Sequence, residues 1–202
     1  MRSILLLLVL TGLPSAPPLV AQSPVRDGRV TSGKLSFDGH ATVGDFVGTT
    51  TSVSGQLRGG ADITQVRGWV AAPVRTLTTG NTKRDKDLNK SMESSKYPDI
   101  RFELAGITPT GGRADSLAAT LHGKLLIHGV TKTVALPATL QLNDSAARVR
   151  SSFPLNLKDF RIGGLSKMLG VLKMYPDIEV HVDVSWELDG TGEPQKLPPP
   201  SS

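Results

Sequence analysis

The chain has 202 residues, a formal net charge of +5, 38% hydrophobic and 4% aromatic residues, and no cysteine. That length suits one all-β domain, in which about 70% of the unfolded surface can be buried, enough for a core without metal or disulfide support. The lack of Cys excludes disulfides, thiol catalysis, iron–sulfur clusters and covalently attached haem. Basic and acidic residues are interspersed, whereas a nucleic-acid binder gathers basic residues and aromatics on one face.

Met1-Arg2-Ser3 is followed by the apolar run Ile4–Leu10, prolines from Pro14 to Pro18, and the small residue Ala21 before Gln22. This is the layout of a secretory signal peptide, residues 1–21, cleaved after Ala21. The run is too short for a membrane span, which needs about 20 apolar residues. The expected mature protein is therefore exported, periplasmic or secreted, with its domain at residues 22–189. Residues 190–202, with four prolines, read as a disordered tail.

Between these ends, period-two alternation marks eight strands, because successive strand side chains point to opposite faces. Val30–Asp38 sets Leu35 and Phe37 against Lys34, Ser36 and Asp38, and a Gly-rich bend at His40–Gly44 follows. Thr49–Arg58 and Ile63–Leu77 are the second and third strands, separated by Gly59-Gly60. Asp99–Gly106 carries Ile100, Phe102 and Leu104 on one face. Leu117–Leu142 reads as a hairpin whose arms carry Leu121, Gly123, Leu125 and Ile127, then Val134, Leu136, Ala138, Leu140 and Leu142. Its connection is the short polar string His128–Lys132. Val149–Leu157 and Ile178–Leu188 complete the set, the last alternating Ile178, Val180, Val182, Val184, Trp186 and Leu188 with polar residues.

Two segments break the rhythm. Asn81–Ser94 is rich in charge, with Leu88 and Met92 four apart, and suits a short surface helix. Leu165–Met174 places Leu165, Met168, Leu169 and Leu172 at helical spacing and ends before Pro176, so a second helix is expected there as a cover. Eight one-sided strands must close into a barrel or stack as a sandwich, and periodicity allows both.

Five strings, taken in order, resemble the YceI-like family. They are Ser36-Phe37 with His40, Gly44, Phe46 and Gly48; Thr79-Gly80-Asn81 with Arg84-Asp85 and Leu88; Lys96–Phe102; Gly123–Lys132; and Lys158–Ile162. The resemblance implies an eight-stranded antiparallel, lipocalin-like barrel with one or two short helices. It also implies a central cavity for a long polyisoprenoid or similar amphiphilic lipid, a quinone-like ligand included, and no catalytic residues. The candidate cavity wall is then Phe37, His40, Phe46, Ile100, Phe102, Leu125, Ile127, Leu136, Leu140, Phe153, Leu155, Met168, Leu169, Val182, Val184 and Trp186. Transient contact with a membrane surface would accompany lipid exchange.

The residues themselves offer little for chemistry. His122 and His128 are six apart, about 20 Å along a straight strand at about 3.3 Å per residue, too far to share a metal. Both fall on the polar face by parity, His128 fixing its hairpin through local hydrogen bonds. His181 lies on the polar face between Glu179 and Asp183. No Gly-x-Ser-x-Gly elbow or phosphate loop is present, and Arg84-Asp85 reads as a solvated ion pair worth under about 1 kcal/mol. The expected protein is a non-enzymatic, metal-free carrier. A lipid-acting enzyme and a lipid-free structural or stress-response module are the alternatives.

Overall fold

Each alternating run becomes a strand with one apolar face turned inward. The computed structural model describes residues 24–42, 44–113, 116–163, 166–167 and 172–189. Its strands are β1 (Gly28–Gly39), β2 (Phe46–Thr50), β3 (Ser54–Arg58), β4 (Arg67–Pro73), β5 (Asp99–Arg113), β6 (Ser116–Ile127), β7 (Val130–Leu142), β8 (Ala146–Asn156), β9 (Ser166–Lys167), β10 (Leu172–Lys173) and β11 (Asp177–Leu188). One α-helix, α1 (Thr82–Ser91), is present among the described residues.

The main sheet runs β11-β8-β7-β6-β5-β4-β3-β1-β2, and β1 also pairs antiparallel with β11 from Gly28↔Leu188 to Asp38↔Glu179. Joining the last strand to the first closes the sheet, which decides for a barrel over a sandwich. Strands β2 and β3 both pair with β1, at Leu35–Gly39 and at Gly28–Arg29, so together they form one of eight staves.

Three segments depart from the sequence expectation in kind, and β5 also runs seven residues past its expected end at Gly106, to Arg113. The run Thr49–Arg58 is broken at residues 51–53, where the buried Thr50 hydroxyl bonds Thr76 Oγ1 at 2.7 Å and accepts from Ser52 N at 3.0 Å. Local side-chain bonds of this kind compete with a strand ladder. Ile63–Leu77 contributes only β4, flanked by 3-10 turns at Ile63–Gln65, capped by Asp62, and at Val74–Thr76, after Pro73.

The third difference is Leu165–Met174, where the expected helix is absent from the described ends. Ser166–Lys167 and Leu172–Lys173 are instead extended and pair antiparallel. Met174 bridges to Ala41, and Tyr175 N donates to the His40 carbonyl at 2.8 Å, which holds the exit of this segment extended.

Bulges keep the long strands apolar inside. β5 slips register at Ala105, so Leu104 and then Ile107, rather than Gly106, face the core. Three rings lie where a glycine leaves room: Phe37 over Gly48, Phe46 over Gly39 and Phe102 over Gly123. A side chain at any of these glycines would collide with the ring, so each Phe–Gly pair acts as a single packing unit.

One seam of the barrel is short. β6 and β7 pair throughout, from Leu117↔Leu140 to Ile127↔Val130, whereas β7 and β8 pair only from Thr139↔Arg150 to Leu142↔Ala147. Two prolines explain this. Pro137 sits opposite Thr120 of β6 and Pro154 opposite Glu179 of β11, so the side on which each lacks an N–H faces the seam. The Pro137 carbonyl points the same way and accepts from Ser151 Oγ at 2.6 Å. A 3-10 turn, Leu157–Phe160, with Ile162 behind it, buries Leu157, Phe160 and Ile162 nearby.

This seam predicts an alternating exchange pattern in β7. The amides of Thr133 and Ala135 share the parity of Pro137 and face the unpaired seam; those of Val134 and Leu136 face β6. Amide hydrogen exchange should be at least about tenfold faster at Thr133 and Ala135 than at Val134 and Leu136. Uniform protection across residues 133–136 would mean that the seam is paired in solution.

Candidate binding cavity

The inward side chains are mostly Val, Leu, Ile and Ala, and they leave a cavity of about 500 Å³ inside the barrel. An eight-stranded barrel is about wide enough for its own side chains or one small ligand, and the volume lies within the usual range of ligand sites. Accessibility shows which residues border the space. Phe37, Phe46, Ile100, Phe102 and Val182 line the cavity yet are only half-buried. Their neighbours Leu125, Ile127, Leu136, Leu140, Phe153, Leu155, Val184 and Trp186 also line it but are buried in the wall.

His40 is the exception among the described candidates. It lies outside the lining, on an exposed bend, with Nδ1 2.8 Å from Asp45 Oδ1. Its place in the family-like string follows from the bend itself, through its carbonyl contact with Tyr175. Met168 and Leu169 lie outside the described residues.

Sequence reasoning missed much of both ends. Val25, Ile63, Val66 and Ile107 line one end. Helix α1 borders the other, with Leu88 and Met92 on the cavity and Asn81, Lys83, Arg84, Asp87 and Ser91 around its opening. The i, i+4 pair Leu88 and Met92 was the available signal, since an apolar pair on a charged helix must dock on something.

The interior is poor in polar partners. The Ser151 hydroxyl is spent on the Pro137 carbonyl, and the Trp186 Nε1 is buried without an acceptor. A long hydrocarbon needs no hydrogen bonds along its length, so such a space favours an apolar chain and disfavours a charged group.

Arg84 and Asp85 do not form the surface ion pair expected from their adjacency. Asp85 accepts from Thr79 N at 2.7 Å, Thr79 Oγ1 at 2.7 Å and Thr78 Oγ1 at 3.0 Å, tying the 78–81 loop to α1. Arg84 turns instead onto the Phe46 ring, its guanidinium carbon 4.2 Å from the centroid.

The Thr79 hydroxyl does most to hold the Asp85 carboxyl below its ordinary value near 3.8. Burial opposes the shift, while the Thr79 N–H, the Thr78 hydroxyl and the Arg84 charge add to it. A carboxylate depressed in the folded state stabilises it above the unfolded value, and that contribution disappears as pH falls through the lower folded value. Between about pH 6 and pH 2.5, wild type should therefore lose more stability than Asp85→Ala. Equal losses in paired chemical melts would remove this role.

The remaining histidines are structural. His122 Nε2 meets Thr108 Oγ1 at 3.0 Å on the outer face. His181 bridges Ser152 Oγ at 2.9 Å and Asp38 Oδ2 at 3.2 Å, also outside. His128 departs from the expected polar-face position. It sits in the two-residue turn His128-Gly129, where φ is positive at both residues, and it is buried under Tyr97. Its Nδ1 reaches the carbonyl of Phe160 at 3.1 Å, thirty-two residues away, and Nε2 lies 3.3 Å from Glu93 Oε1. No cluster of three His, Cys, Asp or Glu residues suited to a metal occurs among the described residues.

Comparison with known proteins agrees with this architecture. Solved structures with the same fold include a polyisoprenoid binding domain from Saccharophagus degradans implicated in plant cell wall breakdown (TM-score 0.66, 14% identity, 82% of this chain and 99% of that one). Another is BcnA of Burkholderia cenocepacia (TM-score 0.64, 19% identity, 76% and 95%). Among sequence relatives, a UPF0312 protein of Pseudomonas fluorescens is 38% identical over 71 residues, 33% of this chain and 36% of its own. One from Pseudomonas syringae pv. tomato is 32% identical over 97 residues, 44% and 48%. The matched segments thus span less than half the length of these relatives. The YceI-like domain, as a family pattern, matches residues 29–186, nearly the whole barrel, and the chain belongs to that family.

Proposed function

We propose that the protein is an exported binding or carrier protein that holds a long-chain polyisoprenoid, or a similar amphiphilic lipid, inside its barrel without chemically altering it. The apolar cavity of about 500 Å³, with its ionisable lining concentrated at the α1 end, carries this reading. The description of the Saccharophagus relative as a polyisoprenoid binding domain supports it. The signal-peptide layout of residues 1–21 supports export.

Organic extraction of the purified protein followed by mass spectrometry is the direct test. A stoichiometric polyprenyl species is expected. Protein that is consistently empty and takes up no prenyl lipid would leave a structural module as the reading. Conversion of an added lipid would favour an enzyme instead. N-terminal sequencing of protein recovered outside the cytoplasm should begin at Gln22, and an intact Met1 there would remove the export step.

A further inference from the structure

We propose that the outer surface of the α1 end of the barrel docks on an anionic lipid bilayer. This goes beyond the carrier reading and rests on it only for what docking would deliver. Charge is separated along the barrel axis. Among the described residues, the connections at the α1 end (40–45, 74–98, 128–129, 157–163 and 174–176) hold eight Lys or Arg against five Asp or Glu. Those at the opposite end (24–27, 59–66, 143–145 and 189) hold Arg26 against Asp27, Asp62, Asp144 and Asp189. A field of this kind turns the α1 end toward a negative surface and the other end away from it.

Helix α1 sharpens the contrast. Leu88 and Met92 turn toward the cavity, and at about 100° per residue Lys83, Lys86 and Lys90 fall on the opposite face. They are also the only exposed residues between 83 and 91. Asp85 and Asp87 lie to the sides, half-buried, and Asp85 is spent on Thr78 and Thr79. The outer stripe is therefore all lysine. Apolar side chains surface at the same end. The exposed large hydrophobics among the described residues are Val47 (53%) and Tyr175 (46%). Val47 pairs with Asp38 on one side of the β1 end, and Tyr175 N donates to the His40 carbonyl on the other. Neither borders the cavity, so a ligand inside it does not account for them. An acidic polymer would use the lysines alone; a bilayer interface also takes the apolar pair.

Co-sedimentation of the purified protein with phosphatidylcholine vesicles, with and without phosphatidylglycerol, tests this. Binding is expected only with the anionic lipid and should fall at least about tenfold at about 0.5 M salt. Lys86→Gln/Lys90→Gln should weaken it at least about tenfold, since each lysine near an anionic surface counts for about fivefold. Neither lysine borders the cavity, so lipid recovered by extraction should not change. The chain has no Cys, so a single introduced one reports orientation. A polarity-sensitive fluorophore on Val47→Cys should shift to the blue on anionic vesicles. The same label on Asp144→Cys, at the far end, should not. Equal binding to both vesicle types, binding to neither, full binding by the lysine variant, or equal shifts from both labels would overturn the docking surface. Each of these leaves the carrier reading standing, because that reading falls only if extraction and lipid uptake both fail.

Discussion

Val182→Trp should empty the barrel of lipid and leave the fold nearly as stable as wild type. Val182 and Val184 lie two residues apart on β11 and face the same interior. Both border the cavity, but Val184 is 1% exposed, its side chain covered by its neighbours in the wall, whereas Val182 is half-buried against the open space. An indole at 182 therefore has somewhere to go. Overpacking a filled core costs about 1–3 kcal/mol; growth into an existing void should cost less than about 1 kcal/mol. Lipid recovered on extraction should fall at least about tenfold, equivalent to about 1.4 kcal/mol of binding. Val184→Trp supplies the contrast: with its side chain already enclosed by the wall, an indole must displace packed neighbours and should destabilise by about 3 kcal/mol or prevent folding. Similar destabilisation by both variants would mean a filled core. Unchanged lipid content in a folded Val182→Trp protein would place the lipid elsewhere.

The contrast between these two valines marks the limit of what the sequence makes legible. Alternation on β11 assigns Val182, Val184 and Trp186 to one face, and the structure keeps them there. Alternation carries no information about whether a facing residue touches a neighbour or a void, because that depends on strands far away in sequence. Closure had the same character. Eight one-sided strands require burial of their apolar faces, but only the β1–β11 ladder decides for a barrel.

Where local chemistry competed with the period, the period lost. Thr50 broke one strand through its hydroxyl, and the exit of 165–174 was held extended by contacts with the His40 bend. The Leu88–Met92 spacing marked a short surface helix, but the sequence did not reveal that the pair borders the cavity. Arg84-Asp85 failed in a different way. Adjacent opposite charges look self-sufficient in a sequence, yet each found a nonlocal partner, Phe46 for one and the 78–79 loop for the other.

Gly129→Ala should cost the fold more than the backbone conformation alone explains, and a double-mutant cycle with Tyr97 should show why. Gly129 has φ of +72°, where an L side chain is strained by about 1–2 kcal/mol. A Cβ there would also stand 2.4 Å from Tyr97 Cε1, a ring atom close to the backbone of the turn. Tyr97 cannot yield freely, since its ring packs on His128 with centroids 4.7 Å apart. His128 in turn holds the Phe160 carbonyl, so displacing the ring disturbs the 3-10 turn beside the short β7–β8 seam. Gly129→Ala alone should therefore destabilise by about 3 kcal/mol. Tyr97→Ala should itself be destabilising through lost burial. In the double variant the clash has gone and only the backbone strain of about 1–2 kcal/mol remains on top of the Tyr97→Ala cost. The predicted coupling is thus at least about 1 kcal/mol, measured by chemical unfolding of all four proteins. Additive effects would confine the role of Gly129 to its φ angle. Coupling would make Tyr97, His128 and Gly129 one unit that fastens the hairpin to the segment lying beside the seam.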